Sequence, residues 1–302
     1  MPTVAETICE ISRKHVLENN GQIWGQCLTA VGWIGGTIPE LTEKDGLVEA
    51  PMADVAWPGL AVGAALAGRR PIIAVRYQGF QTFNHSFIVN YAAKSKEMWG
   101  IPCPLFVRSI AMDGAIGPVA SGSHASLFTR MPGVPVCAPF TPREYESVWD
   151  YFMEHDDPLY VSEHRRSFPI DYEMENVVYP DADVALFAIS ATRLNAVEAV
   201  LQMAKKRIVC SLVHVLWLKP FAVTEDMHKA LARSRFGGIV LDGDYENGTA
   251  KSLAFDLMHA TGKRVHVLGL EERTAGFAPH LDTLPPTTER ICAKVREIMD
   301  KR

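Results

Sequence analysis

Apolar positions along this chain alternate between two spacings. Between Ala5 and Asn19 (AETICEISRKHVLEN), Ile8, Ile11 and Val16 fall near one helical face. Ile72–Arg76, Pro104–Ile110 and Leu159–Glu163 are short, nearly continuous apolar runs, the pattern of strands covered on both faces. Between the first two, Asn84–Gly100 spaces Phe87, Tyr91 and Met98 as a helix would and ends on glycine. Thr141-Pro142 opens another helix, which stops before Asp156-Asp157-Pro158. This alternation predicts a parallel sheet with helices on both faces.

Ser167–Asp183 breaks the rhythm. It is polar, acidic and bounded by prolines, and reads as containing a linker. The alternation then resumes. Strands are expected at Val184–Ser190, within Arg207–Leu218, at Gly237–Leu241 and at Lys263–Leu270. Helices are expected at Ala191–Lys206, Thr224–Ser234 and Asn247–Thr261, with a closing helix that starts within Pro285–Thr288. The fold class is α/β: two domains with parallel or mixed sheets and helices on both faces. The expected boundaries are residues 1–175, a linker at 176–183, and residues 184–302.

The 302 residues are 48% hydrophobic and 22% charged, an ordinary globular composition that excludes a disordered or fibrous chain. Thirty basic against 35 acidic residues give a formal charge of -5, and no basic block offers a footprint for nucleic acid. The charge-free run Val55–Gly68 is too short to span a bilayer, so no membrane association is expected. The start, MPTVAETICE, has no basic region and reads as no signal peptide, which implies a cytoplasmic protein. Cys9, Cys27, Cys103, Cys137, Cys210 and Cys292 lie far apart, without zinc spacing, and are expected to be buried small apolar residues.

The most informative stretch is Glu49–Val75. A loop carrying Asp54 leads into a helix beginning near Trp57-Pro58 that is slimmed by Gly59, Ala61, Gly63, Ala64, Ala65, Ala67 and Gly68. Small side chains let another backbone approach closely. On the residues alone, Asp54 is either an acid/base group or a structural N-cap that complements the helix dipole.

The order of motifs resembles the β subunit of thiamine-diphosphate-dependent 2-oxo acid dehydrogenases, the E1 component, and more distantly transketolase. Ala50-Pro51-Met52-Ala53-Asp54, then Gly59, Ala61, Gly63, Ala65, Gly68 and Pro71, are in register with that family's segment. Phe80 followed by Asn90-Tyr91-Ala92-Ala93-Lys94 is similar to its next motif. Gly117–Ser123, Phe128–Gly133, Asp157-Pro158 through Glu163-His164-Arg165, and Leu218-Lys219-Pro220 continue the likeness over nearly the whole chain.

The resemblance implies a pyrimidine-binding thiamine-diphosphate domain followed by a transketolase C-terminal-like domain. The family's glutamate, which hydrogen-bonds the cofactor's pyrimidine nitrogen, matches Asp54, whose side chain is shorter by about 1.5 Å. Phe80 would stack on the pyrimidine, with Tyr77 the second candidate; a core phenylalanine is the alternative. The family's active-site histidine matches Ala120, and its acidic pair after the first strand reads Gln26-Cys27. His124, one helical turn beyond Ala120, is the replacement candidate, against a purely structural histidine. These departures suit an altered substrate, a variant proton relay or a catalytically quiet homologue.

The family's diphosphate-Mg²⁺ motif, G-D-G, does not occur, and Leu241–Gly248 reads as a strand end and helix start. The resemblance therefore implies that thiamine diphosphate is shared with an α-type partner chain that holds Mg²⁺, in an α2β2 heterotetramer, with Gly59 and Gly63 serving packing between chains. No metal ligand is expected in this chain itself. The implied reaction is decarboxylation of a small-molecule 2-oxo acid substrate. The alternatives are the C-terminal half of a split transketolase and a non-catalytic structural or regulatory subunit. For the transketolase alternative, Arg76, Arg108, Arg130, Arg165 and Arg166 are available to grip a phosphate, in an arrangement the sequence leaves open.

Overall fold

The computed structural model describes residues 1–114 and 116–300. Its strands are β1 Gln22–Gly25, β2 Leu47–Glu49, β3 Pro71–Val75, β4 Phe106–Ala111, β5 Val136–Cys137, β6 Leu159–His164, β7 Val184–Ile189, β8 Cys210–Val215, β9 Trp217–Lys219, β10 Gly238–Tyr245 and β11 Val265–Leu270. Two sheets result. The first runs β2-β1-β3-β4-β6-β5-β9, parallel except for β9, which is antiparallel to β5. The second runs β11-β10-β7-β8, all parallel. Every residue of β3, β4, β6 and β7 is buried, as strands covered on both faces must be.

The strand region expected at Arg207–Leu218 is two strands in different sheets. The chain leaves the second sheet after β8 and crosses back to close the edge of the first with β9. Arg193, fully buried on the helix Thr192–Ala204, seals the junction: it donates to Glu144 of the helix Pro142–Glu154 and to the Val215 carbonyl at 2.7–2.8 Å. Part of the segment expected as a linker lies against the edge of β8, where Val177 and Leu212 exchange backbone hydrogen bonds of 2.8 Å.

Two helical stretches position the site. The slim helix covers Ala56–Leu66 and buries Trp57, Pro58, Ala61, Val62 and Ala65. The next run starts at Gln81, three residues earlier than the spacing predicts. It passes through a π turn at Ile88–Ala92 and ends at Gly100, whose left-handed φ of 66° suits glycine. Its expected buried face is not the observed one. Ile88, Ala92, Ala93 and Ser95 are buried, while Tyr91 is 48% and Met98 60% exposed. The π turn rotates the run, so a helical count across it picks the wrong face. Among the described residues, no helix is long and apolar enough to cross a membrane.

Candidate active site

Sequence neighbours of the first sheet diverge between β1 and β3: the chain passes from β1 outward to β2, then returns to β3 on the other side. Open parallel sheets bind ligands at the carboxyl ends of strands at such a switch point. A cavity of about 150 Å³ lies there, walled by Gln26 and Cys27 after β1, Met52, Asp54 and Trp57 before and within the slim helix, and Arg76, Tyr77, Phe80 and Asn84 after β3. That volume holds a ring the size of benzene.

Three of the sequence candidates, Asp54, Tyr77 and Phe80, share this cavity. Asp54 is half-buried in the turn before the slim helix. The helix cap is Val55, with no side-chain capping bond, so Asp54 is not an N-cap. Its carboxylate has no hydrogen-bond or ion-pair partner among the described residues. The Tyr77 and Phe80 rings are tilted at 45° with centroids 5.9 Å apart. Four polar atoms of the wall, Gln26 Nε2, Trp57 Nε1, Arg76 Nε and Asn84 Oδ1, are buried without a partner. Buried polar groups are normally satisfied, at a cost of about 1–3 kcal/mol each when they are not. An apolar ring flanked by these atoms and a free carboxylate fits a planar, polar heteroaromatic group.

His124 lies elsewhere. Its ring is stacked near Tyr245 of β10, with centroids 6.2 Å apart and an interplanar angle of 22°. Its main chain is clamped by two glutamines that sequence reasoning passed over. The His124 N–H donates to Gln78 Oε1 and the His124 carbonyl accepts from Gln81 Nε2, both at 2.7 Å. Gln78 also donates to the Ser109 carbonyl and Ser162 Oγ, and Gln81 accepts from the Tyr160 hydroxyl. Gly79 between them is required: a Cβ there would lie 2.1 Å from the Val119 carbonyl oxygen. The available signal was a pair of glutamines three residues apart directly after an apolar strand.

Next to this loop, Asp242 and Asp244 are buried at the end of β10, where Ser126 N–H donates to Asp244 at 3.0 Å. Burial, then the charge of Asp244, raises the Asp242 carboxyl well above the usual range; burial likewise raises Asp244. Behind the sheet, Arg108 is fully buried and paired in two hydrogen bonds, 2.7 and 2.9 Å, with Glu163, to which the Tyr145 hydroxyl also donates at 2.7 Å. Of the cysteines, Cys103, Cys137, Cys210 and Cys292 are buried as expected, but Cys27 is exposed at the cavity and Cys9 half-buried. The glycine pair also differs in use: a Cβ on Gly59 would meet the Phe87 ring of this same chain at 3.1 Å, whereas Gly63 faces open space.

Fold and cavity together define an α/β protein with a ring-sized cavity at the switch point of a parallel sheet. The family described as the transketolase pyrimidine-binding domain matches residues 15–170, and the chain belongs to that family. It is 30% identical over 210 residues to an acetoin:2,6-dichlorophenolindophenol oxidoreductase subunit beta from Cupriavidus necator, covering 63% of this chain and 61% of that one. It is 25% identical over 278 residues to a pyruvate dehydrogenase E1 component subunit beta from Rickettsia conorii, covering 83% of each. Among solved structures, a split-gene transketolase, described as an inactive β4 tetramer, shares the fold over the full length of both chains, with a TM-score of 0.73 and 16% identity.

Proposed function

We propose that this chain is the β-type subunit of a two-chain thiamine-diphosphate enzyme that decarboxylates a 2-oxo acid. One observation carries the reading: a ring-sized cavity in which the unpaired Asp54 carboxylate faces the same space as Phe80 and four unpaired buried polar atoms. Relatives named as β subunits of pyruvate dehydrogenase and acetoin oxidoreductase support it.

When bound, thiamine diphosphate would supply a carbon nucleophile for chemistry next to a carbonyl. The residues of this chain hold its aminopyrimidine. Phe80, beside Tyr77 on the cavity wall, would pack the ring face, worth about 0.5–1.5 kcal/mol beyond area burial. Asp54 would offer its carboxyl group to the ring nitrogen in a hydrogen bond, and its freedom from other partners leaves that group available. Trp57 and Asn84 fix the ring orientation. His124, its main chain held by Gln78 and Gln81 and its ring near Tyr245, lies outside this cavity and takes no part in holding the aminopyrimidine.

A cavity of this size leaves the diphosphate and its Mg²⁺ to a partner α chain. The surface beside the cavity suits such a partner. Leu60, Leu66, Phe83, Tyr91, Met98 and Trp99 are all exposed on the slim helix and the run packed against it. Apolar patches of that kind mark protein interfaces. The assembly we propose is an α2β2 heterotetramer. Calorimetric titration of thiamine diphosphate and Mg²⁺ tests the reading: binding is expected to be tight only when the partner chain is present, and tight binding by this chain alone would overturn the shared site.

A further inference from the structure

A second cavity, of about 270 Å³, opens at the amino ends of β10 and β11, where Gly238 and Val265 pair. Arg235, Lys263, Arg264 and His266 line it together with Phe236 and Ile298, and among the described residues no carboxylate does. None of these residues lines the cavity at the switch point of the first sheet. Gly237, with a left-handed φ of 91°, lets the two basic segments close together: a Cβ there would lie 2.1 Å from the Arg264 carbonyl oxygen. The Gly238 N–H donates to that carbonyl at 3.0 Å, and Lys263 Nζ donates to the Ser234 carbonyl at 2.9 Å. The backbone itself thus sets Arg235 beside Lys263 and Arg264.

The chain carries a formal charge of -5, so a concavity walled by Arg235, Lys263 and Arg264 runs against the field of the whole molecule. A sphere of that volume is about 8 Å across, close to one Debye length at physiological salt, so the cations act on a guest together. The fold uses them little. The Arg264 guanidinium has no hydrogen bond or ion pair among the described residues. Arg235, 64% exposed, lies 3.5 Å from Asp183, a carboxylate that also accepts from the Val209 N–H at 2.8 Å. Lys263 Nζ uses one N–H on Ser234 and keeps the others. Guanidinium groups match phosphate oxygens in paired hydrogen bonds, and lysine binds phosphate as a point charge. Phe236 and Ile298 add an apolar wall that is continuous with the core around the second sheet.

We propose that this cavity binds a small phosphorylated organic molecule, its phosphate held by Arg235, Lys263 and Arg264 and its carbon part laid against Phe236 and Ile298. The site stands independently of the function proposed for the first cavity. The test is a titration of the full-length chain with inorganic phosphate and with phenyl phosphate, at ionic strength held constant with chloride. It is followed by ¹H–¹⁵N NMR at the backbone amides of Gly237, Lys263 and Arg264, which separates this site from any binding of the phenyl ring at the switch point.

Both probes are expected to shift the three amides together to saturation, phenyl phosphate at the lower concentration. Arg264→Gln and Arg235→Gln are each expected to weaken binding about tenfold or more. Both side chains are exposed, so both variants should melt at the parent temperature. Shifts that only track ionic strength, phenyl phosphate binding no tighter than inorganic phosphate, or saturation unchanged in both variants would overturn the proposal.

Discussion

Replacing Glu163 with glutamine removes a charge while keeping size and shape, and the structure gives the consequence a magnitude. Arg108 is 0% and Glu163 1% exposed, joined by hydrogen bonds of 2.7 and 2.9 Å across the centre of the first sheet. In Glu163→Gln the Arg108 cation stays buried with no countercharge. Breaking one partner of such a pair costs about 3–5 kcal/mol. Urea denaturation followed by circular dichroism should show the midpoint falling with an unchanged slope. Tyr145→Phe, which loses one hydrogen bond to the same carboxylate, should cost about 1.5–3 kcal/mol. The triple change Arg108→Met, Tyr145→Phe, Glu163→Leu should recover most of the loss, because no charge then remains to be buried. A Glu163→Gln protein within about 0.5 kcal/mol of the parent would refute this reasoning, for such a value belongs to surface substitutions.

Because burial and Asp244 raise the carboxyl of Asp242, the folded chain keeps a proton that the unfolded chain has lost. Native stability therefore falls as pH rises from about 4 toward neutrality. Asp242→Asn should then be more stable than the parent at pH 8 by about 4 kcal/mol and lose that advantage below pH 4, and melting curves with a pH-independent difference would contradict it. Leu60→Asp, at a side chain 62% exposed, should leave the melting temperature of the isolated chain unchanged but abolish association with the partner in sedimentation; intact assembly would remove this face from the interface. One thiol, Cys27, should react rapidly with a thiol reagent and vanish in Cys27→Ser, because burial pushes the Cys103 and Cys210 thiols up to about 12; several equally fast thiols would contradict the burial pattern.

The strands were legible because runs such as Ile72–Arg76 and Leu159–Glu163 are apolar on both faces and bounded by breakers. β9 was not, because three residues that close a distant sheet edge carry no period of their own. The exposed face of the run Gln81–Trp99 was misread for two physical reasons. A π turn shifts its phase, and surface suited to a partner looks like core to any count of apolar residues. At the cavity, Asp54, Tyr77 and Phe80 could be named from motif order, but their convergence with Trp57, Asn84 and Gln26 depends on the switch point between β1 and β3. The glutamine clamp on His124 joins residues more than forty positions apart, and no local spacing announces it.

The role proposed for Asp54 is read most directly from the rate of hydrogen–deuterium exchange at the thiazolium carbon of thiamine diphosphate in the proposed two-chain enzyme, by quench and proton NMR. If Asp54 activates the aminopyrimidine, Asp54→Ala slows exchange by about 100-fold or more and Asp54→Glu retains most of the rate. Exchange in Asp54→Ala at the parent rate would contradict the account.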